Sequence, residues 1–343
     1  MSQQQISTPR RAAIVGCGDV SVVHAEAIAA IDGIELVAVC DSDPARLARA
    51  EAYAGVPGFS SVEALLDAGG VDVVHVTTPH HQHAPVTIAC LRAGVHVIQE
   101  KPLAHTLEVA ETIVDAAAAS TAKIGICFQN RYNVSSVELK KLLDAGALGA
   151  IRGAYASVVW TRTADYYRNA PWRGHKAESG GGVLINQAIH TLDLVQWLRG
   201  EPTTITGQAS TRKFAGVIDV EDTADAIFTH ADGTTTTWFS TLSAPTDRPV
   251  ELELVGELGT ALIRDGLTVR WADGRVDVIP ERAAPSGGRA YWGVSHELLI
   301  RDFYARLDDP EPFWITPAES LASLRMLTAI YEQSPQSTHE GVS

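Results

Sequence analysis

The chain has 343 residues, of which 45% are apolar and 20% charged, and it carries a net charge of −14. This length is comfortable for two domains and the composition is that of a folded globular protein. A negative field of this size argues against phosphate backbones and anionic membranes as partners, and no apolar run reaches transmembrane length.

The opening MSQQQISTPRR is polar and lacks an apolar signal core, so residues 1 to about 9 read as a frayed tail. Cys17, Cys40, Cys90 and Cys127 are far apart and form no CxxC pair. Reduced thiols in a cytoplasmic protein fit that spacing better than a disulfide scaffold.

The first third alternates strand and helix. RAAIVGC (11–17) is an apolar strand ending in glycine, and residues 20–31 suit a helix. IELVAVCD (34–41) is a second strand, after which Asp43-Pro44 starts a helix with Asp as N-cap and Pro at the first position. VDVVHVTTP (71–79), VHVIQE (95–100) and AKIGICFQ (122–129) are further strands, separated by helices over VTIACLRAG (86–94) and LEVAETIVDAAAAS (107–120). Repeated β-α-β with near-continuous apolar strands predicts a parallel, doubly wound sheet over residues 1–125.

After about residue 150 the pattern changes. One long helix, GGVLINQAIHTLDLVQWL (181–198), is followed by TTITGQAS, TADAIFTH, TTTTWFST, VELELVG, GTALIRD, LTVRWA and RVDVIP. Asp232-Gly233, Asp265-Gly266 and Asp273-Gly274 are hairpin turn signals between them. Residues 126–343 therefore read as an α+β domain with a large, mostly antiparallel open sheet, closed by helices at about 295–307 and 317–332. Arg282 to Gly293 reads as a mobile loop, and Thr234–Thr237 as an exposed strand rather than low complexity.

The turn after the first strand is Gly16-Cys17-Gly18-Asp19-Val20-Ser21, a GxGxxS sequence with Ser in place of a third Gly. Small residues there let a pyrophosphate approach the backbone and rest on a helix N-terminus. The second strand ends in Asp41, placed to accept from adenosine ribose hydroxyls and to repel a 2′-phosphate. No Arg or Lys follows immediately, so NAD is expected over NADP. Thr77-Thr78-Pro79-His80 and Glu100-Lys101-Pro102 end two other strands, at the edge where ligands of such sheets bind. A lysine there needs a carboxylate, a substrate oxygen or solvent. His75, His80, His81 and His83 form a dense cluster, but strand alternation separates them and no Cys partners them; no metal is expected.

GxGxx(G/S), TTPxxxH and EKP together, with Trp172-Arg173-Gly174 and GGGVLINQAIHTLDLVQWLRG (180–200), resemble the glucose–fructose oxidoreductase / inositol dehydrogenase / rhizopine-catabolism (Gfo/Idh/MocA) family. The resemblance covers essentially the whole chain. It implies a Rossmann domain followed by an open-sheet domain. It also implies hydride transfer at a sugar or cyclitol carbon, and a homodimer or homotetramer formed through the sheet's outer face. In that family the residue matching His190 usually acts as acid/base, which suits an imidazole. The residue matching Lys101 holds the reacting oxygen. A related position often carries Asp where this chain has Asn186, so Asn186 is expected to hydrogen-bond substrate rather than relay a proton.

Asn186, His190 and Asp193 fall at helical spacing on one face, where Asp193 either orients His190 or pairs elsewhere. Further substrate contacts are expected from Asn130, Arg131, Trp172 and Arg173, in a region that includes Tyr166 and His175. The expected cofactor contacts are Gly16, Gly18, Asp19, Val20, Asp41, Ser42, Thr77, Thr78, His80, His83, Glu100, Lys101 and Gln129. Two alternatives stand beside a sugar or cyclitol dehydrogenase: an NAD-recycling glycosidase working through a transient 3-keto sugar, and a non-catalytic NAD-binding regulator.

Overall fold

A computed structural model describes residues 9–282 and 295–334. The expected tail and the expected mobile loop lie, but for Pro9 and Arg282, outside the described residues. In chain order the first elements are β1 (Arg10–Val15), α1 (Ser21–Ala29), β2 (Ile34–Cys40), α2 (Pro44–Ala54), β3 (Gly58–Phe59), α3 (Val62–Ala68), β4 (Val73–Val76), α4 (His83–Arg92), β5 (His96–Glu100), α5 (Leu107–Ala118) and β6 (Ile124–Cys127). Then come α6 (Val134–Asp144), β7 (Ile151–Val159), α7 (Ala164–Arg168), α8 (Lys176–Ser179), a π-helical stretch Leu184–Ala188 and α9 (Ile189–Arg199). The rest is β8 (Thr204–Ser210), β9 (Thr223–Thr229), β10 (Thr235–Thr241), β11 (Glu251–Gly256), β12 (Gly259–Ile263), β13 (Gly266–Trp271), β14 (Val276–Pro280), α10 (His296–Ala305) and α11 (Pro317–Gln333).

The chain forms two compact units. One comprises Met1–Gln129 and Pro285–Leu321, the other Asn130–Ala284 and Ala322–Ser343. The first holds a six-stranded sheet in the order β3-β2-β1-β4-β5-β6, with every pair parallel. The order reverses between β1 and β4, which makes the carboxyl edge there the place for a ligand. Asp43 caps α2 by accepting from the Ala45 and Arg46 amides, with Pro44 at the first position, as the sequence predicts. The strand β3 and helix α3 were not foreseen; two residues of strand give no periodicity to read.

The expected boundary falls after residue 125, and the first compact unit runs to Gln129. The chain returns to the first unit over 295–321. Ile126 N donates to Ile315 O at 3.1 Å, and a β-carbon on Gly125 would meet the rings of Phe313 and Phe303 at 2.7 and 2.8 Å. Helix α10 buries Leu299, Ile300 and Phe303 here. Its apolar face requires a partner, but sequence position does not say which sheet supplies it.

The second unit holds an eight-stranded sheet in the order β14-β13-β12-β11-β7-β10-β9-β8. Only the β7–β10 pair is parallel, so the sheet is mostly antiparallel as expected. The seven anticipated strands are present, and β7 joins them at the centre. Its IRGAYASVV includes Gly and two Ala, which weaken a strand pattern. All three Asp-Gly signals are turns; at Asp265-Gly266 both residues have positive φ, 53° and 136°.

Candidate active site

At the carboxyl edge of the first sheet, Gly16 has φ 95°, and a β-carbon there would lie 2.7 Å from Thr77 C and Thr78 N. Gly18 has nothing within 4 Å of where its β-carbon would be. The first glycine thus permits close packing of two strand ends, and the second leaves a bare backbone. Ser21 Oγ donates to Gly18 O at 2.6 Å, which shows what serine does in place of the third glycine. Helix α1 has no side-chain cap and no acid in its first turn, so its N-terminal amides can meet an anion. Asp41 Oδ2 accepts from Cys17 N at 2.7 Å and Oδ1 from Asp43 N at 2.8 Å. Each oxygen keeps a second lone pair for a ribose hydroxyl. Asp19 and Ser42 are exposed at this edge and Val20 is half-buried. The donor and acceptor set fits a dinucleotide.

Thr77 Oγ1 donates to Gly16 O at 2.5 Å, which locks the β4 end to the glycine turn. His83 is buried, with Nδ1 2.7 Å from Pro102 O and Nε2 3.0 Å from Thr78 O, so it bridges the two expected strand ends. Two carbonyl partners would favour an imidazolium, but burial dominates and pushes His83 down to about 4. The buried His80 lies against it, ring centroids 5.8 Å apart.

Strand β5 presents Gln99 and Glu100 to opposite faces, as alternation requires. On one face Gln99 Nε2 donates to Leu103 O (2.9 Å), Glu100 O (3.2 Å) and Pro102 O (3.2 Å), while Oε1 accepts from Thr87 Oγ1 at 2.8 Å. On the other, Glu100 Oε1 accepts from His24 Nε2 at 3.0 Å and His296 Nε2 at 3.1 Å. His24 Nδ1 lies 2.8 Å from His75 Nδ1, and His75 Nε2 lies 2.9 Å from Tyr304 Oη. Protons assigned from the network satisfy every link with neutral imidazoles: Tyr304 donates to His75, His75 to His24, His24 to Glu100. Burial would push Glu100 up, but the hydrogen bonds from His24 and His296 outweigh it and hold the carboxyl well below the usual range. Burial holds His24 and His75 below the ordinary imidazole value.

Glu100, an expected cofactor contact, is buried and tied to His24 and His296, which tethers the turn. His24, Glu100 and Cys127 each bring one ligand atom within 4.8 Å of the others. In the hydrogen-bonded arrangement, however, both imidazoles already occupy Glu100 Oε1. The Lys101–Pro102 bond is cis. From residue 97 to 104 every residue is buried except Lys101.

In the second unit the histidine helix shows the same selectivity. From residue 181 to 196 every residue is buried except Asn186 and His190. Its entry is built around glycines. A β-carbon on Gly181 would fall 2.0 Å from Tyr331 Oη, and one on Gly182 would fall 1.7 Å from Glu221 O. The Glu221 carboxylate accepts from Gly182 N (2.8 Å), Leu184 N (2.9 Å) and Tyr331 Oη (2.9 Å), a clamp that sequence reasoning missed. The helix is not a single α-helix: residues 184–188 are π-helical.

Asp193 does not share the exposed face. It is buried and accepts from Arg131 Nε (2.7 Å) and Nη2 (2.6 Å), because a carboxylate in that position requires a cation. Arg131 is buried with Nε and Nη2 turned to Asp193, so it braces the helix.

Tyr166 Oη accepts from Gln187 Nε2 at 2.7 Å and Asn186 Nδ2 at 3.4 Å. The Arg173 guanidinium lies 4.6 Å from the Tyr166 ring centroid and 5.8 Å from that of Trp172. Arg173 and Asn186 thus meet Tyr166, and Trp172 lies beside Arg173. Gln129 is buried, Asn130 half-buried and His175 exposed.

A parallel sheet with a glycine turn at its switch point has the form of a dinucleotide-binding domain. Family models agree: "Oxidoreductase family, NAD-binding Rossmann fold" matches residues 10–128 and "GFO/IDH/MocA C-terminal domain" matches 136–262. The chain belongs to the GFO/IDH/MocA family, and its first unit is an NAD-binding Rossmann domain.

It is 36% identical to D-glucoside 3-dehydrogenase of Escherichia coli over 59% of this chain and 57% of that protein. It is 29% identical to inositol 2-dehydrogenase 2 of Saccharopolyspora erythraea over 86% of this chain and 80% of that one. The crystal structure of the WlbA dehydrogenase from Bordetella pertussis, in complex with NADH and UDP-GlcNAcA, matches with a TM-score of 0.81 at 32% identity, covering 95% and 96% of the two chains. No helix among the described residues is long and apolar enough to cross a membrane.

Proposed function

We propose that the protein is an NAD-dependent dehydrogenase or reductase acting at a hydroxyl or keto carbon of a sugar, sugar derivative or cyclitol. The observation that carries this reading is selective exposure. The EKP turn buries every neighbour of Lys101, and the histidine helix buries every neighbour of Asn186 and His190. Side chains that can hold an oxygen and move a proton are therefore the ones left accessible. The names of relatives, which include glucoside and inositol dehydrogenases, support the substrate class.

Gly16, Gly18, Asp19, Val20, the α1 N-terminus, Asp41 and Ser42 would hold the dinucleotide, with Thr77, Thr78 and His83 shaping the edge beside it. When bound, NAD supplies the hydride acceptor or donor. Lys101 holds the reacting oxygen by hydrogen bond and favours its anionic form. His190 takes the hydroxyl proton during oxidation and returns it during reduction. Asn186, Trp172 and Arg173 contact the polyol, anchored through Tyr166; Arg131 acts at one remove, by bracing Asp193. The four cysteines are all free, which suits a cytoplasmic setting. The exposed apolar residues on the sheet's outer face suit a homodimer or homotetramer.

The test is a panel of sugars and inositols with NAD, run on the wild type, Lys101→Ala and His190→Ala. NADH should accumulate with at least one polyol, and each variant should lose about 100-fold or more in kcat. Released sugar without NADH accumulation would select the NAD-recycling glycosidase. Tight NAD binding with no turnover would select the regulator.

A further inference from the structure

We infer that His24 and His296 are positioning residues for Lys101 and act on it through Glu100. The inference rests on the oxygen-holding role proposed for Lys101. A strand end does not need a buried carboxylate for stability, since apolar replacements of buried charged groups are often neutral or better. Here the carboxylate is retained and both lone pairs of one oxygen are used. The donors come from α1 and α10, which lie far apart in the sequence. The His24 ring is itself fixed from behind by His75 and Tyr304, which leaves it one orientation.

The residue so held is the immediate chain neighbour of Lys101. Gln99 grips the same turn from the opposite face through the carbonyls of Glu100, Pro102 and Leu103. The turn is therefore fixed from both faces, and Lys101 alone emerges from it. Such a double clamp suits a group whose position decides a rate, because displacement by about 1 Å can cost a hundredfold. Either imidazole alone would satisfy Glu100 less fully and let the turn relax.

Two measurements test this. The first is competitive acetylation of the intact protein with acetic anhydride, read at each lysine by mass spectrometry. In His24→Ala and His296→Ala the labelling of Lys101 should change severalfold, with Lys140 and Lys141 as internal standards that do not change. The second is a double-mutant cycle on turnover of the polyol found in the panel. Each histidine variant should lose roughly 10- to 100-fold in kcat while its NAD affinity holds. Adding His24→Ala to Lys101→Ala should cost nothing more, because the histidine acts through the lysine. His24→Gln, which keeps a donor near the Nε2 position, should restore most of the activity.

Wild-type Lys101 labelling together with wild-type kcat in the folded histidine variants would overturn the inference. A loss that adds fully to that of Lys101→Ala would overturn it as well. Full turnover by Lys101→Ala would instead overturn the role of the lysine, and with it the premise. If the alanine variants do not fold, Glu100→Gln keeps the side-chain volume and removes the anion, and the same comparisons decide.

Discussion

Gly16 and Gly18 belong to one motif and serve opposite purposes, so they should fail differently. Gly16→Ala forces a β-carbon against the Thr77 and Thr78 backbone at positive φ. It should lower the melting temperature markedly and reduce folded protein. Gly18→Ala meets no protein atom, so its thermal stability should match the wild type while NAD affinity falls; fluorescence titration separates the two cases. The Arg131–Asp193 pair makes a second prediction at this scale. Asp193→Ala strands a buried guanidinium and should cost about 3–5 kcal/mol in urea unfolding, most of it recovered when Arg131→Met is added. Lys101 drew attention in the sequence as a charged group at a buried strand's end, and His190 through the family resemblance of its helix. His24, His296 and Glu221 were not legible. Their tasks exist only once segments far apart in the chain meet, and one sequence carries no signal for such pairing.

Among the elements, the strands of the first sheet were legible because burial on both faces writes continuous apolar runs. The central strand β7 was not, since its Gly and Ala residues weaken the pattern at the point where most neighbours support it. The π-helical stretch, which ends one residue before the α-helical turn of His190 and Asp193 begins, also left no trace in the periodicity. Gly182→Ala should disrupt the entry to this helix, because the added carbon meets the Glu221 carbonyl, a backbone atom that cannot swing aside. Activity should fall together with the melting temperature, whereas His190→Ala should lose activity alone.

Strand ends also set the response to acid. His83, at about 4 when folded against about 6.5 unfolded, stays neutral in the fold while the unfolded chain takes up a proton. Stability should be full above pH ~6.5 and decline as the pH falls toward 4, by ~3 kcal/mol for this group, with His24 and His75 adding in the same direction. Urea midpoints measured across that range check the slope. A rise in stability on acidification would contradict it.

For the whole molecule, the second sheet offers its outer face. One row across it runs Thr206, Ile227, Thr237, Tyr155, Glu253, Leu262, Thr268 and Val278, with Ile227 49% and Val278 69% exposed. Apolar side chains so placed are where the proposed homodimer or homotetramer would meet. Ile227→Asp with Val278→Asp should shift the elution volume to that of a monomer and leave the far-ultraviolet spectrum unchanged. The return of 295–321 to the first unit escaped the sequence because an amphipathic helix declares a buried face without naming its partner.

The account's central claim is that Lys101 and His190 carry a polyol redox reaction on NAD. NADH formation across the sugar and inositol panel, compared among the wild type, Lys101→Ala and His190→Ala at saturating NAD, tests it most directly. Accumulation by the wild type and its loss in both variants, with NAD binding retained, is the predicted result. Wild-type rates in either folded variant would contradict it.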